Sequence, residues 1–155
     1  MRLRILLSAL MPLAMAACGG DTVTSVLPIE QTTFAASLGV NLAASTKTAD
    51  GLYYRDVVVG TGATLTAGKT VGMRYSGAFA SGTVFDANPS PKPVFTFLLG
   101  SGQVIKGWDE GLVGMKVGGT RQLIIPPGLG YGASDYAGIP GNSVLVFTVD
   151  AITVQ

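Results

Sequence analysis

From residue 51 onward, apolar and polar positions alternate in short runs that glycine and proline interrupt. Val71, Met73 and Tyr75 fall on one side of an extended segment, and Gly72, Arg74 and Ser76 on the other, which predicts a strand over 71–79. The same reading predicts strands over 52–59, 94–99, 120–125 and 143–154, the last being the most strongly β-patterned stretch. A turn at Ser81-Gly82-Thr83 folds 71–79 back onto Val84, Phe85 and Asp86 as a hairpin. Both faces of 94–99 are expected to be buried, since Phe95, Phe97 and Leu99 alternate with Val94, Thr96 and Leu98. Prolines at 89, 91 and 93 make 88–93 a loop; Pro126-Pro127 stop the strand before them; and 128–142 is a long glycine-rich loop carrying Tyr131 and Tyr136. One stretch breaks the period. In 103–114 the sequence QVIKGWDEGLVG places Val104, Ile105, Trp108 and Leu112, with Met115 beyond, on one face of a helix, and Lys106, Asp109 and Glu110 on the other. So short a helix is marginal in water, and Gly107 costs it about 1 kcal/mol relative to alanine, so other elements must wrap it. The expected architecture is α+β: a strongly twisted antiparallel sheet of about five strands wrapped around one short helix.

Composition narrows the chemistry. With 155 residues, 48% of them hydrophobic and 12% charged, the chain has the means to bury a core. A net charge of +1 becomes 8 basic against 9 acidic residues once Arg2 and Arg4 are set aside, so no basic footprint for nucleic acid is present. The absence of histidine removes His-based triads and His metal sites, and a single cysteine removes internal disulfides and Cys-cluster metal sites. No metal or cofactor is expected.

The N-terminus reads as an address. Residues 1–18 have a basic start, an apolar run over 5–17 too short to span a bilayer, and small residues before Cys18: a secretory signal. Met15-Ala16-Ala17-Cys18 resembles a bacterial lipobox, which implies that Cys18 is lipidated. Ordinary cleavage would instead leave Cys18 as an unpaired thiol on an exported protein. Gly19 after Cys18 favours the outer over the inner membrane, with the domain in the periplasm. Residues 19–50 read as a flexible linker in which Phe34, Leu38, Val40 and Leu42 form one apolar patch, either a loose helical turn or an extended piece docked on the domain. The folded domain is 51–155.

The string GTVFDANPSPKPVFTFLLGSGQVIKGWDEGLVGMKVGGTRQLIIPPGLGYG, with GLYYRDVVVGTG before it and SVLVFTVDAITV after it, resembles the FKBP-type peptidyl-prolyl cis-trans isomerases. The resemblance covers 51–155 and implies a pocket floored by Trp108. Tyr75, Phe85 and Phe95 form its walls; Val104 and Ile105 its rim; Tyr131, Ile139 and Phe147 its far side. Asp86 sits at the edge in polar contact with Tyr75 or a ligand, and backbone groups at Ile105 with the Tyr131 hydroxyl hold the peptide beside its proline. It implies proline-containing polypeptides as substrates, tacrolimus or rapamycin as further ligands, and a monomer. Three departures stand out: Arg74 where a smaller or aromatic polar residue is usual, Gly141 in place of a proline, and an individual loop at 134–138.

The reaction so implied makes no new bond. An Xaa-Pro amide rotates slowly because resonance must be broken, over a barrier of about 18–20 kcal/mol. A dry aromatic site with a few polar handles meets its needs, and neither nucleophile nor general base is required. The alternative is a binding module or periplasmic chaperone that uses the same pocket without turnover; 134–142 holds no inserted domain and no long helical arm precedes residue 51, which weighs against elaborate chaperone work. Acid–base chemistry through Asp86 and Asp135 has no support in their spacing.

Overall fold

The computed structural model describes residues 27–155; the expected signal segment, Cys18 and the first part of the expected linker lie outside the described residues. The elements are β1 (Thr46–Lys47), β2 (Tyr53–Val58), β3 (Thr70–Phe79), β4 (Val84–Ala87), β5 (Phe95–Leu98), α1 (Lys106–Gly111), β6 (Thr120–Ile125) and β7 (Leu145–Val154). All strand pairs are antiparallel, in a sheet of seven strands with the order β1-β2-β6-β7-β3-β4. Strand β5 pairs with the first half of β3, at Thr70 to Met73, and β4 pairs with the second half, at Ser76 to Ala78. The proline loop between β4 and β5 therefore leaves the sheet halfway along β3. The register shifts at Asp56/Val58, Gly72/Met73 and Gly77/Ala78 interrupt the ladders, and interruptions of this kind, bulges among them, increase the right-handed twist that lets a sheet close around a helix.

The core lies on the concave side. Leu145, Phe147, Val149 and Ala151 of β7, Leu123 and Ile125 of β6, and Val71 and Met73 of β3 pack with Trp108, Leu112 and Met115. Helix α1 comes close to β6 because its two glycines face it. A Cβ on Gly107 would lie 2.7 Å from Ile125 Cγ2, and one on Gly111 2.7 Å from Leu123 Cδ2. The helical cost of Gly107 thus secures a close approach that a larger residue could share only by displacing the Ile125 side chain.

Helix α1 is shorter than the periodicity predicts. Ile105 is extended, with φ −60° and ψ 147°, and its carbonyl accepts from the N–H groups of Trp108 (2.9 Å) and Asp109 (3.3 Å). At the other end Gly114, φ 81°, donates to the Leu65 carbonyl at 2.9 Å, so the chain leaves the helix to pair with 62–65. Val104, Ile105, Leu112 and Met115 share the apolar side without sharing the helix. Strand β5 also differs from expectation: Phe97 is buried, but Phe95 and Leu98 are more than a third exposed, because β5 is an edge strand and Phe95 faces a cavity.

Residues 27–50 are not a linker where the structure describes them. They cross the convex face of the sheet in three 3₁₀ turns and end in β1, which pairs with Tyr53 and Tyr54. Ile29, Phe34, Leu38, Val40 and Leu42 cover Tyr53, Ile124 and Val146 in a second apolar cluster. The strap is tied down by Gln122 Nε2 to the Leu38 carbonyl (2.7 Å), Ala35 N–H to the Ala80 carbonyl (2.8 Å), and Glu30, which accepts from both Lys47 Nζ and the Tyr53 hydroxyl. Loss of the strap would bare Ile124 and Val146, both 2% exposed or less. Truncation before residue 51 is expected to destabilise the domain by about 2–4 kcal/mol relative to truncation before residue 27, at 1.5–3 kcal/mol per apolar side chain uncovered and partial burial for most of them. Denaturant melts of the two forms check this.

Candidate functional site

Trp108 enters from the first turn of α1 and lies 4% exposed beneath an open cavity of about 470 Å³. Three rings meet it nearly edge-on: Tyr75 at 5.1 Å, Phe147 at 5.4 Å and Phe95 at 6.2 Å between centroids. Phe97 packs beside it at 5.8 Å and 49°. Edge-to-face pairs put positive ring edges on negative ring faces, so the indole is held in one orientation by several neighbours at once. Its Nε1 is buried with no hydrogen-bond partner among the described residues, a polar atom left at the floor of an apolar box.

The polar side of the cavity is built on β3 and β4. The Tyr75 hydroxyl donates to Asp86 Oδ2 at 2.8 Å across the hairpin. Burial first, then the bond to Asp86 and the charges of Asp86 and Tyr131, push the Tyr75 phenol up to about 12. Tyr131 is also raised, by burial and then by the charges of Asp86 and Tyr136. Because the folded-state value of Tyr75 lies above the ordinary 10.0, its contribution to stability is complete below pH 10 and is lost as pH rises towards 12. In a spectrophotometric titration of the folded protein, one tyrosine is expected to ionise near pH 12, and Tyr75→Phe to remove that step.

The rim is set by local clamps. Asp109, in the first turn of α1, accepts from the backbone N–H groups of Gly100 (2.7 Å) and Gly102 (2.8 Å), and Gln103 Oε1 accepts from Leu98 N–H (2.9 Å). These bonds turn the 100–103 segment so that Val104 and Ile105 reach the cavity, Ile105 in extended form. On the opposite rim Tyr136 stacks on Tyr131, with centroids 5.0 Å apart and planes at 11°. A tight turn with positive φ at Ala137 and Gly138 returns the chain so that Tyr136 and Ile139 exchange backbone bonds of 2.9 and 2.8 Å.

Comparison with known proteins bears on this arrangement. A sequence profile described as FKBP-type peptidyl-prolyl cis-trans isomerase matches residues 62–152, more than half of the chain. The chain belongs to this family. FK506-binding protein 4 of Aspergillus oryzae is 49% identical over 128 residues, which cover 83% of this chain and 25% of that protein. FK506-binding protein 3 of Yarrowia lipolytica is 48% identical over 105 residues, 68% of this chain and 26% of the relative. The chain thus spans about a quarter of the length of these curated relatives. Among solved structures, FkpA from Escherichia coli superposes with a TM-score of 0.66 at 38% identity, covering 72% of this chain and 52% of that one. AtFKBP13 superposes with a TM-score of 0.67 at 35% identity, covering 72% and 98%.

Within this FKBP domain, Tyr75, Asp86, Phe95, Val104, Ile105, Trp108, Tyr131 and Phe147 line the one cavity. Two residues expected there do not. Phe85 packs on Phe79 (5.0 Å) and edge-on to Phe147 (5.5 Å), so it props the wall from behind. Ile139 is 6% exposed because the return from Tyr136 turns its side chain into the core. Three lining residues were missed: Gly102, Gln103 and Tyr136. Only Tyr136 carried a signal, as a second tyrosine in a loop already holding one.

The departures from the FKBP pattern have local reasons. Arg74 Nη1 donates to the Lys92 carbonyl (2.9 Å), tying the proline loop to β3. Gly141 N–H donates to Asp135 Oδ1 (2.8 Å), and a Cβ there would lie 2.1 Å from the Ala133 carbonyl oxygen. A proline at 141 would lack the donor and would not fit.

Proposed function

We propose that this chain is a peptidyl-prolyl cis-trans isomerase that accelerates rotation about Xaa-Pro bonds in folding polypeptides. The observation that carries the reading is the aromatic cavity itself: an indole floor beneath Tyr75, Phe95 and Phe147, with Asp86 and Tyr131 in the same lining. A proline ring seated on Trp108 loses its water, and the Xaa-Pro amide above it passes through a twisted state with a smaller dipole than the planar one. A site poor in water disfavours the planar amide relative to the twisted one, and donors at the rim hold the flanking carbonyls while the bond turns. Ile105 supplies one such donor: it sits at the helix start, and its N–H has no backbone partner among the described residues.

Exchange NMR on short Xaa-Pro peptides with the full chain tests this. Uncatalysed exchange takes tens to hundreds of seconds, and catalytic amounts of the chain are expected to shorten it. Binding without acceleration would favour a recognition or chaperone module, and neither binding nor acceleration would overturn both readings. FK506 binding is stated in the names of the curated relatives. We extend it to this chain, with tacrolimus or rapamycin occupying the same cavity of a monomer.

Export is the second part of the proposal, and it rests on residues 1–18. The basic start, the apolar run and Ala16-Ala17-Cys18 support a bacterial lipoprotein held at the outer membrane, with the domain facing the periplasm. Expressed in a bacterial host, the full chain is expected to incorporate radiolabelled palmitate and to sediment with membranes, and Cys18→Ser to abolish both. Unlabelled, soluble wild-type protein would sink the anchor.

A further inference from the structure

Resting on the proline site just proposed, we infer that the mouth of the cavity is a second subsite, formed by the Tyr131–Tyr136 stack with Asp86, which selects a basic residue flanking the proline. Among the described residues, Asp86 is the only charged one lining the cavity. Its Oδ2 is taken by the Tyr75 hydroxyl, and no Lys or Arg lies within ion-pair distance of it among the described residues. The neighbouring cations are already engaged: Arg74 donates to the Lys92 carbonyl and Lys92 Nζ to the Ala87 carbonyl at 3.0 Å, and neither lines the cavity.

The same cavity carries a large exposed aromatic surface. Tyr136 is 58% exposed although it lines the cavity, and its stacking on Tyr131 leaves one ring face open. An open tyrosine face and an uncompensated carboxylate both attract an ammonium or guanidinium group, and the apolar stem of Lys or Arg can lie along the rings. The loop that carries Tyr136 is held by the Asp135 bond to Gly141 and by the paired backbone bonds between Tyr136 and Ile139, so the stack is built before any ligand arrives. The floor holds the proline, and the mouth reads its neighbour.

The test measures binding as well as turnover, so failure of this inference is distinguishable from failure of the isomerase reading. Peptides with lysine, its near-isosteric neutral analogue norleucine, phenylalanine or glutamate placed before or after one proline are titrated into the full chain. Affinity is followed by NMR shifts of the Trp108 and Tyr136 rings, and kcat/KM by exchange. At low salt, lysine is expected to be favoured over norleucine by about threefold to tenfold at one of the two positions, and glutamate to be the weakest. Tyr136→Leu, which keeps apolar bulk without a π face, is expected to reduce the lysine-to-norleucine ratio by about half or more, and Asp86→Asn to remove its salt dependence. Norleucine or phenylalanine binding as well as lysine at both positions would overturn the subsite, whether or not any peptide is isomerised. An unchanged ratio in Tyr136→Leu would overturn the role of the stack.

Discussion

Trp108→Leu is expected to lower kcat/KM on Xaa-Pro peptides by about 30-fold, equivalent to roughly 2 kcal/mol of transition-state stabilisation. The indole is the one surface in the cavity that four other rings hold in place, three of them edge-on. Each such pair is worth about 0.5–1.5 kcal/mol beyond burial, and together they fix a flat floor that branched leucine cannot reproduce. The substitution also removes ring contacts from a side chain that is 4% exposed, so a stability loss of about 2–4 kcal/mol accompanies it. Denaturant melts, with activity measured well below the midpoint, separate the two effects. Activity within twofold of the parent, in a protein shown to be folded, would mean that the floor does not carry catalysis.

The largest effect on stability is expected at Arg121. This side chain is buried on β6, yet its Nε and Nη2 donate to the two oxygens of Asp56 on β2 at 2.7 and 3.0 Å. Its Nη1 donates to the carbonyls of Gly111 (2.8 Å) and Val113 (3.1 Å), which no further turn of helix α1 can satisfy. The guanidinium lies over the Tyr54 ring at 4.8 Å. One group thus joins two strands to the end of the helix that carries Trp108. Arg121→Met keeps the volume but strands a carboxylate and two carbonyls, and is expected to cost about 3–5 kcal/mol. Adding Asp56→Leu should recover part of that loss, because no half-buried charge then remains without a partner. A cost below about 1 kcal/mol for the single variant, read from urea midpoints at unchanged m-value, would show that the network is dispensable.

Legibility differed from element to element. Period-two alternation marked β3, β6 and β7 well because each puts one set of side chains against the helix, and Pro126 ends β6 where it must. On β7 the outward set is Val146, Thr148, Asp150 and Ile152, of which only Val146 is buried. The apolar run at Leu145–Phe147 says that both faces are covered at the start of the strand but not by what. The cover is the strap, whose turn-rich composition looks like a tether because its apolar residues are spaced for 3₁₀ turns rather than for a regular helix or strand. Helix α1 was overextended for a related reason. Val104, Ile105, Leu112 and Met115 do face the core, but they do so from the cap and the flanking coil.

By itself the sequence determined the fold class and the strands that make up most of the sheet, because burial and strand period are properties of local pattern; the aromatic residues of the pocket were legible only through the resemblance to the FKBP family. Tertiary structure alone decided which aromatics face the cavity and which stand behind it. Phe85 and Ile139 turn away through ring packing and a tight return, while Tyr136 lines the cavity from a loop in which the Gly141 N–H donates to Asp135 Oδ1, a bond that a proline would forbid. It also decided why α1 carries two glycines. Their missing Cβ atoms let the helix lie against Leu123 and Ile125, a distance set by two elements meeting and written in neither one.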